Sequence, residues 1–446
     1  MGCQAGGRHR IIQFRLAWAV LLAVPLLGFG QEGRVAAQEI APRKFVGSAV
    51  CTGCHAQQGN SWTHSLHARF MRTWAEEQKS PVVDWKAAPA APFDLAQVSF
   101  VLGNMHKLVF LRATDQGHGF FSQQFDIQAR TWEPFDAALW IPMENHPDLG
   151  AASSWERLCA GCHVTGFEPQ SGKFVEATIA CENCHGPGSA HAVSQKRNDI
   201  VNPAALQGDR ANHICARCHS RGRDSKTGLP YPAGFVAGDS LAGTFVLDTP
   251  APGTNTPGFW GNGVARMHHS QFNEFMQSQH YRKDVRCFDC HQVHRYREDP
   301  PSRETRLMAN TERFLLKKRT RFVCVTCHDN RSVNYGTETP GGKIVDTHTH
   351  HPPVIEKSIP GPAARPAKTL VTMTCQDCHM VKVVDAKKGY DTASHIFHTP
   401  APDDTTRYGV ANACNNCHTR ESADWAAKQI AEWRKKRLAT VPGKAP

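Results

Sequence analysis

No stretch after residue 30 is apolar over the roughly 18–20 residues that a membrane helix requires, so no helical span is expected in the body of the chain. Apolar residues are sparse throughout. They make up 40% of the 446 residues, and the mean hydropathy is −0.45, so a conventional apolar core is hard to assemble. Spare cysteine is missing as well. Of 17 cysteines, 16 fall in one repeated pattern and Cys3 alone lies outside it. Paired cysteines can serve disulfides or zinc ribbons, but neither needs a histidine after every second cysteine.

That histidine is always there. The pattern is Cys-x-x-Cys-His, and the stretch Cys159–His191 holds two copies within CAGCHVTGFEPQSGKFVEATIACENCHGPGSAH. Eight copies pair Cys51 with Cys54, Cys159 with Cys162, Cys181 with Cys184 and Cys215 with Cys218, then Cys287 with Cys290, Cys324 with Cys327, Cys375 with Cys378 and Cys414 with Cys417. The histidines that follow are His55, His163, His185, His219, His291, His328, His379 and His418. Such a motif attaches a c-type haem: two thiols add to neighbouring vinyl groups of one porphyrin, and the next imidazole binds the iron. The expected cofactor complement is eight covalently attached haem c groups. We number the motifs 1 to 8 in chain order.

Haem attachment of this kind follows export, and the N-terminus agrees. Arg8, Arg10 and Arg15 precede an apolar run from Leu16 to Gly30 that is too short to span a bilayer and contains Pro25. Val35-Ala36-Ala37 has the small-residue pattern of a signal-peptidase site, so residues 1–37 read as a signal peptide and the destination as periplasmic or extracellular. Cys3 precedes the apolar run and does not fit a lipidation site. The formal charge of +11 invites a nucleic-acid or membrane partner. Residues 1–37 hold four arginines and one glutamate, and their loss leaves about +8. Each ferric haem with ionised propionates adds about −1, so eight haems bring the oxidised protein to about zero. The surplus Lys and Arg therefore suit propionates, and no nucleic-acid partner is expected. The run Lys317–Arg321 reads as a solvated face.

Distal ligands must come from elsewhere in the chain. In SWTHSLHARFMRTWAEEQ a helical pattern places His67 on one stripe with Phe70, Met71 and Trp74. From Gln97 the composition turns strand-like, with turn signals at Gly103-Asn104 and Asp115-Gln116-Gly117, and predicts an antiparallel β insertion over 96–135. Residues 221–263 are rich in Gly and Pro and carry Phe235, Phe245, Phe259 and Trp260, which suggests a crossover segment wrapped on a core. RMHHSQFNEFMQSQHYR reads as a helix offering His269 and His280 on one side, with His268 about 100° away. The remaining candidates are His294, one of His348, His350 and His351 (represented by His350), and His395 or His398, with His395 preferred. A transition-metal site at the Thr-His-Thr-His-His turn is the rival there. His106, His118, His146 and His213 are read as structural. Methionine ligation by Met71, Met308 or Met380 is open but nowhere required. The tail SADWAAKQIAEWRKKR predicts an amphipathic helix packing Trp425 and Trp433 on the body.

Three segments carry a family resemblance: GSAVCTGCH with the following W-x-x-S-x-H-A-x-x-M segment, CAGCHVTGF, and ACENCHGPGSAH. Together they resemble the multihaem c-type cytochromes typified by tetrahaem cytochrome c-554, the electron acceptor of hydroxylamine oxidoreductase, over residues 46–280. The resemblance implies that His67 serves motif 4, His191 motif 1 and His268 motif 3. It also implies that the iron at His163 is five-coordinate and open to a small-molecule ligand. Longer relatives include octahaem oxidoreductases of nitrogen and sulfur compounds, so the resemblance supports a haem arrangement more strongly than an activity.

The expected fold is mainly α and irregular: an octahaem cytochrome c with one small antiparallel β insertion and haems forming the core. It comprises an N-terminal tetrahaem region over 38–220, the crossover over 221–263 and a C-terminal tetrahaem region over 264–446. The leading function is transfer of single electrons along closely spaced, mostly bis-His haems, between a donor and an acceptor protein, with membrane quinol-linked cytochromes among the candidates. The alternative is an oxidoreductase acting on nitrite, hydroxylamine, tetrathionate or sulfite at the haem of His163. No catalytic residue can be named from the sequence. Intact mass of the exported chain should show eight haem increments, and fewer on a homogeneous product would refute the motif count.

Overall fold

The architecture follows from the shortness of its helices. In a computed structural model, the described residues are 43–137, 140, 154–294, 316–317, 323–328, 337–338, 344–345, 348–351, 354–359, 367–372, 374–385 and 390–439. The expected signal peptide over 1–37, His146, Met308 and residues 318–321 of the basic run lie outside them. Each motif is a single helical turn or close to one. Helices Ser48–Cys54, Gly161–His163, Cys181–His185, Arg210–Ala216, Cys287–Cys290 and Cys375–His379 run through or into six motifs. The other two are turns, in which His328 N donates to Cys324 O at 3.0 Å and His418 N to Cys414 O at 2.8 Å. The same bond recurs at His55, His219 and His291, each donating to its first cysteine at 2.9 Å. This i to i+4 closure places both thiols and the imidazole on one face of the turn.

The β content exceeds the single insertion that the sequence predicts. Strands β1 (Met71–Thr73), β2 (Phe100–Leu102), β3 (Lys107–Thr114), β4 (Gly117–Phe120), β5 (Gln123–Asp126) and β6 (Thr131–Pro134) form one antiparallel sheet. Its order is β1-β2-β3-β5-β6, with β4 also paired to β3. Among the described residues four two-stranded sheets follow: β7 (Gly222–Asp224) with β8 (Phe245–Leu247), β9 (Thr337–Glu338) with β10 (Ile344–Val345), β11 (Val354–Ile359) with β12 (Ala367–Thr372), and β13 (Lys382–Asp385) with β14 (Tyr390–Ala393). The fold is thus mixed, of short helices and small antiparallel sheets, and "mainly α" understates its strands.

Two expected helices are broken. Around His67 the chain leaves a helix at Thr63, turns through 64–70, adds β1 to the sheet and re-enters a helix at Trp74–Lys79. Met71 pairs with Leu102, so edge pairing overrides the helical periodicity. Thr73 starts the second helix: its hydroxyl accepts from Glu76 N, and the Glu76 carboxylate accepts from Thr73 N. In the second case, Gln271–Phe275 and Gln279–Arg282 are separate helices, and Ser278 caps the latter by accepting from Tyr281 N. His268 and His269 precede both helices, so the helical phase linking His269 to His280 does not apply.

The sheet has an apolar core of its own. Val83, Val98, Val101, Leu108, Phe110, Phe121 and Phe125 are buried together, with Trp74, Trp85, Phe93 and Trp132 packed against them. An ion pair is buried beside it: Arg72 Nε lies 2.5 Å from Glu77 Oε2, and Glu77 Oε1 accepts from Trp85 Nε1 and Val82 N, both at 2.9 Å. The crossover segment buries Leu229, Tyr231, Phe235, Leu241, Phe245 and Phe259. The C-terminal helix spans Ala423–Ala439. Replacing Glu77 by Ala strands the Arg72 charge and two donors, and should cost about 3–5 kcal/mol in the unfolding of the insertion. Denaturant titration followed by tryptophan fluorescence measures the loss, and haem absorbance should not change under native conditions.

Candidate haem-binding centres

The sixteen motif cysteines are unbridged. What gathers around the motif histidines is other histidines. His55 lies opposite His191 with ring centroids 6.2 Å apart, His67 opposite His219 at 6.2 Å, and His185 opposite His294 at 5.9 Å. In the second half, His291 faces His395 at 6.2 Å, His280 faces His328 at 5.7 Å, His348 faces His379 at 6.1 Å and His351 faces His418 at 5.9 Å. A metal about 2 Å from each of two imidazole nitrogens sets those nitrogens ~4 Å apart and the ring centroids ~6 Å apart. The His280 and His328 Nε2 atoms are 3.5 Å apart. Interplanar angles run from 8° to 78°, as rotation about a common ligand axis permits. The donor set and its spacing therefore fit an axially ligated haem iron at seven of the eight motifs.

The ring environments select the ligating form. An Nδ1–H donated to a backbone carbonyl leaves Nε2 free to bind a metal. His185 donates to Val201 O at 2.8 Å, His191 to Lys196 O and His379 to His398 O at 2.9 Å, and His395 to Ala393 O at 3.0 Å; His351 donates to Thr349 O. Burial holds His67, His163 and His395 near a pKa of about 4, helped at His163 by the Arg221 cation, so these imidazoles are neutral at pH 7. His395 is fixed in turn by Glu274, whose carboxylate accepts from His395 N at 2.7 Å and Ala265 N at 2.8 Å, and whose burial pushes it up to about 7.

The structure rearranges several sequence expectations. His294, not His268, lies opposite His185. His268 is instead engaged by Arg221, which donates to its carbonyl at 3.0 Å and reaches its ring nitrogens at 3.3 and 3.4 Å, and by the edge of Trp140 at 4.8 Å. At the Thr-His-Thr-His-His turn, His348 and His351 both face motif histidines, whereas His350 stacks on Trp433 at 4.5 Å. No three-residue metal group occurs among the described residues. His118 pairs with Glu156 at 2.7 Å, and His213 accepts from Leu241 N at 3.2 Å. His269, absent from the sequence-based ligand set, has its ring 6.0 Å from that of His163. His351 and His269 each follow another histidine, a doubling that spacing alone does not resolve.

Thiols of different motifs also meet. Cys51 contacts Cys181, Cys162 contacts Cys218, Cys215 contacts Cys287 and Cys324 contacts Cys375. Charge on Cys218 is felt at Cys184, charge on Cys327 at Cys290, charge on Cys290 at Cys324, and charge on Cys414 and Cys417 at Cys378.

A family model described as cytochrome c554 and c-prime matches residues 50–91 and 127–186. The chain is similar to multihaem c-type cytochromes. Cytochrome c-554 of Nitrosomonas europaea is 24% identical over 154 residues, which are 33% of this chain and 40% of that one. The chain thus matches less than half of that relative's length. The crystal structure of outer cell wall cytochrome OcwA superposes with a TM-score of 0.61 at 22% identity, over 89% of this chain and 88% of that one, and establishes a shared fold. An undecaheme cytochrome from the S-layer of Carboxydothermus ferrireducens aligns at a TM-score of 0.42 and 18% identity, over 85% of this chain and 58% of that one. Among the described residues no helix is long and apolar enough to cross a membrane. Replacing His294 by Ala should convert one low-spin ferric haem to high-spin in the EPR spectrum, whereas replacing His268 by Ala should leave the low-spin count unchanged.

Proposed function

We propose that this chain is an exported octahaem cytochrome that passes single electrons between a donor and an acceptor protein. The observation that carries the reading is the set of seven facing histidine pairs beside Cys-x-x-Cys-His turns. A bound haem c supplies one one-electron redox centre per motif, at low potential where both axial ligands are histidine. The chain's residues do the rest. His191, His67, His294, His395, His280, His348 and His351 serve as distal ligands to motifs 1, 4, 3, 5, 6, 7 and 8, and the Nδ1 bonds of His191, His351 and His395 to backbone carbonyls leave their Nε2 atoms for the metal. His350 and His268 are then outer supports.

The thiol contacts supply the order of the sites. Each cysteine joins a porphyrin edge, so cysteines of two motifs in contact bring two porphyrin edges together. Motifs 1, 3, 4, 5, 6, 7 and 8 follow one another in that order, and motif 2 lies beside motif 4. Exposed motif residues occur at both ends of this order, Cys54 and His55 at one and Cys417 and His418 at the other, and at motif 6, where Cys327 and His328 are exposed. They are the points at which redox partners dock. Periplasmic or cell-surface placement agrees with haem attachment after export and with the likeness to outer cell wall cytochrome OcwA.

The carrier reading makes a direct prediction. Dithionite-reduced protein should be reoxidised slowly by nitrite, hydroxylamine, tetrathionate and sulfite, and quickly by an oxidised multihaem cytochrome, as followed by stopped-flow absorbance. Fast catalytic turnover with any of the four small molecules would replace the carrier reading with an oxidoreductase.

A further inference from the structure

Motif 2 stands outside the seven pairs, and the family resemblance implies an open iron there. The structure nevertheless brings an imidazole to it. The His269 ring centroid is 6.0 Å from that of His163, within the 5.7–6.2 Å range of the seven facing pairs. We propose that His269 is the distal ligand at motif 2, which makes this site six-coordinate and closed to small molecules. The inference rests on the reading that haem is bound at Cys159 and Cys162.

Four further observations support it. His269 also lies 5.9 Å from His219, but His219 is already faced by His67 at 6.2 Å, and an iron accepts one imidazole on each side. The second proximity has a separate cause. Cys162 and Cys218 are in contact, so motifs 2 and 4 are neighbours, and an axial ring of one must lie close to an axial ring of the other. The adjacent His268 cannot take the role, because Arg221 holds both its carbonyl and its ring while Trp140 packs on it. His269 itself adopts φ +60°, an uncommon left-handed conformation for a residue with a side chain, and its ring is tilted 56° from that of His268, 4.3 Å away. Finally, the other aromatic partner of His163 is Phe70, stacked on its face at 4.6 Å and 18°. That ring has no ligating atom, and its contact restrains the imidazole plane.

The test uses the mature holoprotein. Peptide mapping first locates haem on Cys159 and Cys162; its absence there would remove the haem reading and this inference with it. With haem present, resting ferric EPR should show only low-spin centres, and the reduced protein should bind no carbon monoxide. Replacing His269 by Ala should create one high-spin haem and one carbon monoxide site, and added imidazole should restore the low-spin signal. A wild-type protein with one high-spin haem that binds carbon monoxide would overturn the ligand assignment while leaving the haem reading intact. An unchanged low-spin count in the His269→Ala variant would overturn it equally. The wild-type spectra decide the question even if that variant fails to fold.

Discussion

Two imidazoles facing each other at the span of one ligated iron are the constraint on which this structure depends. The facing partners come from remote parts of the chain: His55 meets His191, His67 meets His219, and His291 meets His395. Each such meeting closes a long loop, whose entropy must be offset. Outside the insertion the apolar core is split into separate clusters, one around Phe235, Leu241, Phe245, Phe272 and Phe275 and smaller ones such as Leu158, Leu229 and Tyr231, or Val264, Val383, Ile396 and Val410. Axial ligation and thioether attachment of haem at these motifs would provide further cross-links, much as structural metals do in domains with little core.

The insertion is organised on different physics. Its aromatic cluster and the buried Arg72–Glu77 pair need no cofactor, so it forms a conventional half-buried sheet. It is also tied to motif 2. His118 on β4 pairs with Glu156, three residues before Cys159, and β1 begins beside Phe70, which stacks on His163. Gly117 at φ +113° permits the first contact, since a Cβ there would meet the Glu156 carboxyl group at 2.6 Å. Behind the motif, Tyr231 from the crossover donates to Glu156 O at 3.1 Å and covers Gly161. Motif 2 is therefore clasped by the insertion on one side and the crossover on the other.

The two broken helices show where sequence periodicity stops being informative. His67, Phe70, Met71 and Trp74 have helical spacing, yet Met71–Thr73 gains more by completing the edge of a sheet whose other strands begin at Phe100. The capping signal Thr73-Trp-Ala-Glu76 lay in the sequence and marked the true helix start. In the Thr-His-Thr-His-His turn and at His268-His269, adjacent imidazoles of equal chemistry compete. Backbone conformation separates them: His350 and His269 both take left-handed φ, and in each doublet only one ring faces a motif histidine.

By itself the sequence determined the number of Cys-x-x-Cys-His motifs, the histidine that closes each and the approximate bounds of the β insertion. Those features are local: a cysteine, its partner and the histidine lie within one helical turn, and a strand announces itself over a few alternating residues. Which remote histidines face the motif histidines, which thiols of different motifs meet, and the approach of His269 to His163 were decided only by tertiary structure. They depend on which remote segments the packing brings to within one ligated iron of each other, and no short-range pattern encodes that distance.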